Sequence, residues 1–464
     1  MQDLTTGSLT RHLLKTTGFM LVTMLSHTLY FLIDLYWVGR LGSEAVAAVA
    51  ISGNLMFVVM AVTQMLAVGT TTLISHAVGR KDHDRALLVF NQAQVLSALA
   101  GAVFLVLAMG ARGFYARAMS ADVATAALAS DYLAWFIPAS ALQFAMVSMA
   151  AALRGTGNFK PGMIVQTATV FINMALAPVL IFGWGPAPRM GVAGAALATF
   201  IAVAVGTAWL FLYFRPVGAF LRYVPEHWRP RFALWRSMLG IGLPAGAEFG
   251  LMAVYLMIIY AVIRPFGAAA QAGFGIGMRV VQAGFMPIVA LGIAVAPVAG
   301  QNFGAGRHER VVETFRVASI MAAAAMLVFA IFCHIAPAAL IGVFSADPRV
   351  IAIGDRYLRI VSWTFVASGV IFVASSTFQA IGNTVPALMA SFARILVVTL
   401  PLLVLPRVAG FELDWIWFLA VAATALQLGL SLWLLKREFA LRLVPLAGTP
   451  APAGSTRERA ADPA

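Results

Sequence analysis

Three side chains near the start of the chain have the types and spacing to hold a proton or a cation. Asp34 stands in the stretch SHTLYFLIDLYWVGRLG, Ser26 to Gly42, with Tyr30 four residues and His27 seven residues before it. On a helix those spacings place all three on one face. The apolar segment around them, Leu13 to Val38, spans roughly 39 Å at ~1.5 Å per residue, against a bilayer core of ~30 Å. A carboxylate at that depth costs about 2.5–3.5 kcal/mol on insertion scales, so it is expected to face a protein-lined cavity. The alternatives are structural: a permanent pair between Asp34 and a buried Arg or Lys, and a His27 that merely donates to a neighbouring carbonyl.

Further polar groups lie inside apolar stretches. Asn54 and Gln64 occupy the second, and Gln166 and Asn173 the fifth, with Pro178 beyond them. A proline there withdraws a backbone hydrogen bond and bends the helix. Asn173 reaches Asp34 only if the first and fifth stretches face each other. Glu248 follows Pro244 by about one turn in the seventh stretch, and Arg279 lies midway along the eighth, in GIGMRVV. A membrane-centred Arg needs an anion, and Glu248 is the nearest candidate in sequence. The competing expectation for Glu248 is snorkelling to water at the helix end.

The elements that carry these residues follow from composition. The chain has 464 residues, 61% of them hydrophobic and 11% charged. Soluble domains carry about a quarter charged residues. Long apolar segments separated by short turns exclude a β-barrel, whose strands alternate over ~10 residues. The fold class is an all-α polytopic membrane protein of twelve transmembrane helices, at 13–38, 45–76, 87–110, 123–152, 161–183, 191–214, 234–263, 267–300, 311–336, 349–380, 385–407 and 414–435. The first stretch lacks a cleavage site and is expected to stay as a span. The lone Cys333 excludes disulfides and thiol pairs, the seven histidines are scattered, and no metal set is expected.

The net charge of +13 reflects topology. Roughly two thirds of the lysines and arginines fall in the loops of one side, including Arg80, Lys81, Arg85, Arg307, Arg310 and the run Arg215 to Arg236. That bias puts both termini in the cytoplasm of a bacterial-type inner membrane and points to anionic lipid, with no nucleic-acid partner.

One internal offset organises the whole chain. A shift of 225 residues pairs Ser120-Ala121-Asp122 with Ser345-Ala346-Asp347, Tyr132-Leu133 with Tyr357-Leu358, and Gly79 and Arg85 with Gly304 and Arg310. It also pairs Gly157-Asn158 and Pro161 with Gly382-Asn383 and Pro386. The repeat unit holds six spans, an even number, so both copies run the same way across the membrane. The expected domains are an N-terminus at 1–12, an N-lobe at 13–214, a basic linker at 215–233, a C-lobe at 234–440 and an unstructured tail at 441–464. Two pseudo-symmetric six-helix lobes around a cleft make an alternating-access layout. RGTGNFKPG, Arg154 to Gly162, lacks the order of a nucleotide loop and reads as a tight turn.

The sequence resembles the multidrug and toxic compound extrusion (MATE) family of secondary transporters. The resemblance rests on IDLYWVGRLGSEAVAAV, LRGTGNFKP, MGVAGAALAT, GQNFGAGRHER and FQAIGNTVPAL followed by Arg394, all in order over about 11–440. It implies export of organic cations driven by proton or sodium entry, from a monomer without cofactors. It also implies that Asp34 is the coupling acid, with Asn173 and Thr199 completing the N-lobe cation site. Three positions depart from the family: its fifth-span aspartate is Ala177, its seventh-span glutamate falls on Met252 with Glu248 one turn early, and its tenth-span aspartate falls near Val370. Coupling is therefore expected in the N-lobe, by protons rather than sodium. The rivals are a flippase for lipid-linked sugars, which wants a row of cations along the cleft, and a membrane enzyme, for which no cluster of nucleophile, base or metal ligands exists.

Overall fold

The computed structural model describes residues 2–185, 188–216, 219–405 and 410–443. Those residues form helices and turns. The six helices of the first half are α1 (Leu9–Gly39), α2 (Ser43–Gly79), α3 (His83–Met119), α4 (Val123–Gly155), α5 (Phe159–Phe182) and α6 (Val192–Tyr213). The second half continues with α7 (Phe232–Ile263), α8 (Ala268–Gly304), α9 (His308–Ile335), the short α10 (Pro337–Gly342), α11 (Pro348–Val361), α12 (Phe365–Ala380), α13 (Val385–Leu402) and α14 (Leu413–Arg442). Among the described residues, twelve spans are long and apolar enough to cross a membrane. The tenth, expected as one helix over 349–380, is α11 and α12 joined by the 3-10 turn Ser362–Thr364. The chain remains helical to Arg442, past the expected start of the tail, and residues 444–464 lie outside the described residues.

The 225-residue offset has a physical reading. Asp122 and Asp347 are both N-caps: the first accepts from the Thr125 amide at 2.7 Å and the second from the Arg349 amide at 2.9 Å. Gly157 and Gly382 both take left-handed backbone, φ +78° and +77°, at equivalent helix turns. Loop residues recur because each closes a helix end the same way in both halves.

The end of the bundle that carries the N-terminus, here the terminal face, is where the halves meet closely. From there inward α2 packs on α7 through Gly69 against Met238, Gly242 against Met65 and Gly246 against Ala61. Helices α2 and α8 cross with Gly79 on the Gln301 carbonyl and Gly304 on the His76 carbonyl, another pair at offset 225. Any side chain at those glycines would collide with backbone.

Candidate functional site

The first cluster is built by α1, α5 and α6. The Tyr30 hydroxyl lies 3.2 Å from Thr199 Oγ1, and Asn173 Nδ2 donates to the same oxygen at 2.9 Å. Thr199 in turn donates to the Ala195 carbonyl at 3.2 Å. Asp34 stands one turn beyond Tyr30 on α1, and its Oδ1 is buried with no hydrogen-bond partner. Asn173 Oδ1 is orphaned in the same way. Both are acceptors, so the cluster has the chemistry to take a proton or a cation.

The expected residues divide. Tyr30, Asn173 and Thr199 are hydrogen-bonded together with Asp34 alongside, while Asn173 donates to Thr199 and not to Asp34. His27 is exposed on α1, outside the cluster. Gln166 is buried on α5 two turns before Asn173, Asn54 is exposed on α2 beside Tyr115, and Gln64 is half-buried. None of these three bonds to Asp34. Ala177, one turn after Asn173, is 1% exposed among apolar neighbours, so the cluster holds a single acid.

The second cluster lies within the C-terminal half. Glu248 accepts from Ser375 Oγ at 3.3 Å and from Ser391 Oγ at 3.4 Å. Gln427 donates to Ser391 at 3.3 Å and accepts from Arg394 at 3.4 Å, while the Arg394 guanidinium sits over the Tyr255 ring, 5.0 Å from its centre. The expected Glu248–Arg279 pair is not formed. Glu248 is two residues, or 200° of helix, from Gly246, which faces α2, so its carboxylate turns inward to α12 and α13. It is also sixteen residues past the start of α7 at Phe232, roughly 24 Å along the axis, too deep to snorkel.

At offset 225 the first cluster has no charged copy. Asp34 maps to Ile259, 1% exposed, and Asn173 to Val398, fully buried. Tyr30 and Thr199 map to Tyr255 and Thr424, and Thr424 donates to the Ala420 carbonyl at 2.8 Å as Thr199 does to Ala195.

A third set of residues joins the halves at the terminal face. His76 Nε2 bonds the Ala380 carbonyl at 2.6 Å, and Gln301 Nε2 donates to the Gly155 carbonyl at 3.0 Å. These four positions are one pair of contacts repeated at offset 225. The N-terminal segment adds a strap: Gln2 donates to the Thr156 carbonyl, Leu4 to Gln301 Oε1, and the Leu4, Thr5 and Gly7 carbonyls accept from Asn302, Arg307 and Arg310. Reciprocally, residues 222–231 ahead of α7 dock on Asn91 and Gln92 of α3. Apart from a 3.7 Å contact of Thr28 with Met286 Sδ, the hydrogen bonds between halves fall at this face among the described residues. Sequence reasoning named Glu248 but missed Ser375, Ser391 and Gln427 around it, as well as His76 and Gln301. Applying the offset to His76 alone would have exposed the seam.

The comparisons agree with this architecture. The sequence model of the family described as MatE matches residues 20–179 and 244–405, one match in each half. A probable multidrug resistance protein NorM of Deinococcus radiodurans is 30% identical over 91% of this chain and 94% of its own. The multidrug export protein MepA of Staphylococcus haemolyticus is 26% identical over 87% and 88%. A solved structure described as the outward-facing conformation of a multidrug resistance MATE family transporter of the MOP superfamily superposes with TM-score 0.87 over 94% of this chain and 97% of that one. At 21% identity that is a likeness of fold.

Proposed function

The chain belongs to the MatE family of multidrug efflux transporters, and from that premise we propose that it exports organic cations in exchange for entering protons, with Asp34 as the coupling carboxylate. The observation that carries this reading is the pair of orphaned buried acceptors, Asp34 Oδ1 and Asn173 Oδ1, beside the bonded Tyr30 and Thr199. Without a proton, Asp34 offers a negative charge to a cationic substrate; with one, it offers none. Proton and substrate therefore compete, which is the requirement of an antiporter. A sodium ion would want several hard oxygen ligands with more negative charge. With Ala177 in place of a second acid, the proton is favoured.

The excess of lysine and arginine in the loops of the terminal face supports its lying in the cytoplasm. In that reading the seam of His76, Gln301 and the N-terminal strap closes the cytoplasmic side, and the opposite side, toward which no strong hydrogen bond joins the halves among the described residues, is the open one. That is the state in which substrate leaves and a proton arrives. The working unit is a single chain in lipid, without cofactor. The flippase reading has no specific observation in its favour.

The test is transport of a fluorescent organic cation in inverted membrane vesicles, with proton and sodium gradients imposed separately. Movement driven by the proton gradient and abolished in Asp34→Asn is expected. A requirement for sodium, or full activity in the variant, would overturn the assignment.

A further inference from the structure

The N-terminal strap fills one of two equivalent niches at the terminal face. Leu4 is fully buried, its amide donates to Gln301 Oε1 at 3.0 Å, and Gln2 and Leu4 lie against Gly157. At offset 225 Gln301 corresponds to His76, Thr156 to Ile381 and Gly157 to Gly382. Those three copies line a cavity of about 420 Å³, together with Ile241, Phe303 and Arg442. The strap's own copy, residues 227–232, is committed elsewhere. Arg229 stands in the place of Leu4, and its carbonyl accepts from Gln92 at 2.8 Å, while the Arg231 amide donates to Gln92 at 2.9 Å.

The cavity has the chemistry of the niche it copies. In the niche, Gln301 uses both ends of its amide: Nε2 donates to the Gly155 carbonyl and Oε1 accepts from the strap. His76 makes the counterpart of the first bond, donating from Nε2 to the Ala380 carbonyl. In the neutral ring that leaves Nδ1 an acceptor, and it has no hydrogen-bond partner among the described residues. Ile241, Phe303 and Ile381 supply an apolar wall, of the kind that an aliphatic side chain such as that of Leu4 requires. The cavity therefore suits a short peptide segment that brings one backbone N–H and one aliphatic side chain.

The chain supplies such a segment at the rim. Leu443, the last described residue, is buried, and its carbonyl accepts from His308 Nδ1 at 2.5 Å. The Phe303 ring stands 6.4 Å from that of His308 and 4.9 Å from that of His76, a separation that three extended residues cross at up to ~3.6 Å each. Three residues on from Leu443 is Leu446, after Val444 and Pro445. A proline there does not continue a helix and biases the residue before it to extended backbone. We propose that residues 444–447 form a second strap, with the Leu446 side chain in the cavity and its amide on His76 Nδ1, so that the terminal face is bolted on both sides of the seam. A tethered segment needs little intrinsic affinity, because the tether keeps its local concentration high.

The test is thiol labelling of Gly240→Cys in a Cys333→Ala background, on the full-length protein in detergent. Gly240 lines the cavity, is exposed, and has open space where the new side chain would stand. Ser237→Cys, on the same wall, carries the test if the first variant does not elute as a folded protein. A maleimide is expected to react at least about tenfold faster when Leu446→Asp is added, because one aliphatic side chain is then returned to water, and at an unchanged rate when Leu446→Ile is added. Mild oxidation is expected to join Gly240→Cys to Leu446→Cys and not to Ser455→Cys, farther along the same tether. Equal labelling with and without Leu446→Asp overturns the second strap, whether both rates are fast, as in a cavity open to water, or slow, as in one covered by detergent or lipid. A disulfide to Ser455→Cys as rapid as that to Leu446→Cys overturns it too, since the tether alone would then account for both.

Discussion

The two halves of this molecule share a scaffold and differ in where their charge lies. Helix caps, left-handed glycines and the paired seam contacts recur at offset 225, as do Tyr30 with Tyr255 and Thr199 with Thr424. The acid does not recur. In the N-terminal half it is Asp34, with an oxygen left free; in the C-terminal half Ile259 takes that place, and the acid is Glu248, held by two serines in a network reaching Arg394. Duplication preserves what closes helices and docks them, because every copy needs it. A free buried carboxylate is needed once, at the point where a proton is exchanged, and elsewhere it is a liability. Helix α8 shows the same divergence, since Arg279 is the offset partner of the uncharged Asn54.

The largest test of this comparison sets Asp34→Asn against Glu248→Gln. The first is expected to reduce proton-driven efflux to background, because no other acid occupies that cluster. The second keeps donors and acceptors for Ser375 and Ser391 and is expected to cost a few-fold at most. Dye efflux under a proton gradient reads both, and equal losses would break the contrast.

What the sequence made legible follows the same divide. The spans, the repeat and the placement of Tyr30 on the face of Asp34 were visible, since depth and helical spacing are properties of single segments; the grouping of Asn173 and Thr199 with Asp34 came from the family resemblance. The Glu248–Arg279 pair was expected and is absent because the two residues lie on α7 and α8, whose relative rotation no single segment contains. Gly246 facing α2 is what turns Glu248 away, and that contact joins the two halves. The seam was hidden for the same reason: His76 in isolation is one histidine among seven.

The seam offers the next two tests. Leu4 is fully buried in the strap, so Leu4→Ala is expected to weaken the closed terminal face by about 2–5 kcal/mol. His76→Ala and Gln301→Ala each leave a carbonyl of the opposite half unpaired, worth about 1–3 kcal/mol, and Gln301→Ala also frees the Leu4 amide of the strap, so it should cost more than His76→Ala. Thiol labelling of Ser75→Cys, a fully buried seam position, in a Cys333→Ala background reads the opening. Labelling should rise most in Leu4→Ala, less in Gln301→Ala and least in His76→Ala. Equal labelling in Gln301→Ala and His76→Ala would mean that the strap's bond to Gln301 adds nothing to the closure.

The smallest expected effect concerns the caps, where the halves are most alike. Asp122 accepts from the Thr125 amide and hydroxyl, at 2.7 and 2.8 Å, and those bonds hold its carboxyl below the usual value of 3.8. A carboxylate whose value is depressed by folding stabilises the folded state above its unfolded value, and that contribution is lost as pH falls through the lower folded value. The window is thus the acid range at and below pH ~4, and at neutral pH the contribution is complete. Because Asp122 is solvent-exposed, screening keeps the effect small. Asp122→Asn should lower the apparent melting temperature at pH 7 by the order of one degree, with the difference from the native protein vanishing in acid. Asp347→Asn, which keeps an oxygen for the Arg349 amide and loses only the charge, should show a small fall at pH 7 as well. Detergent-solubilised protein scanned at pH 7 and stepwise downward through the acid range below pH ~4 decides it: a gap at Asp122 that does not shrink with falling pH would mean that the side chain acts there through packing rather than through its charge.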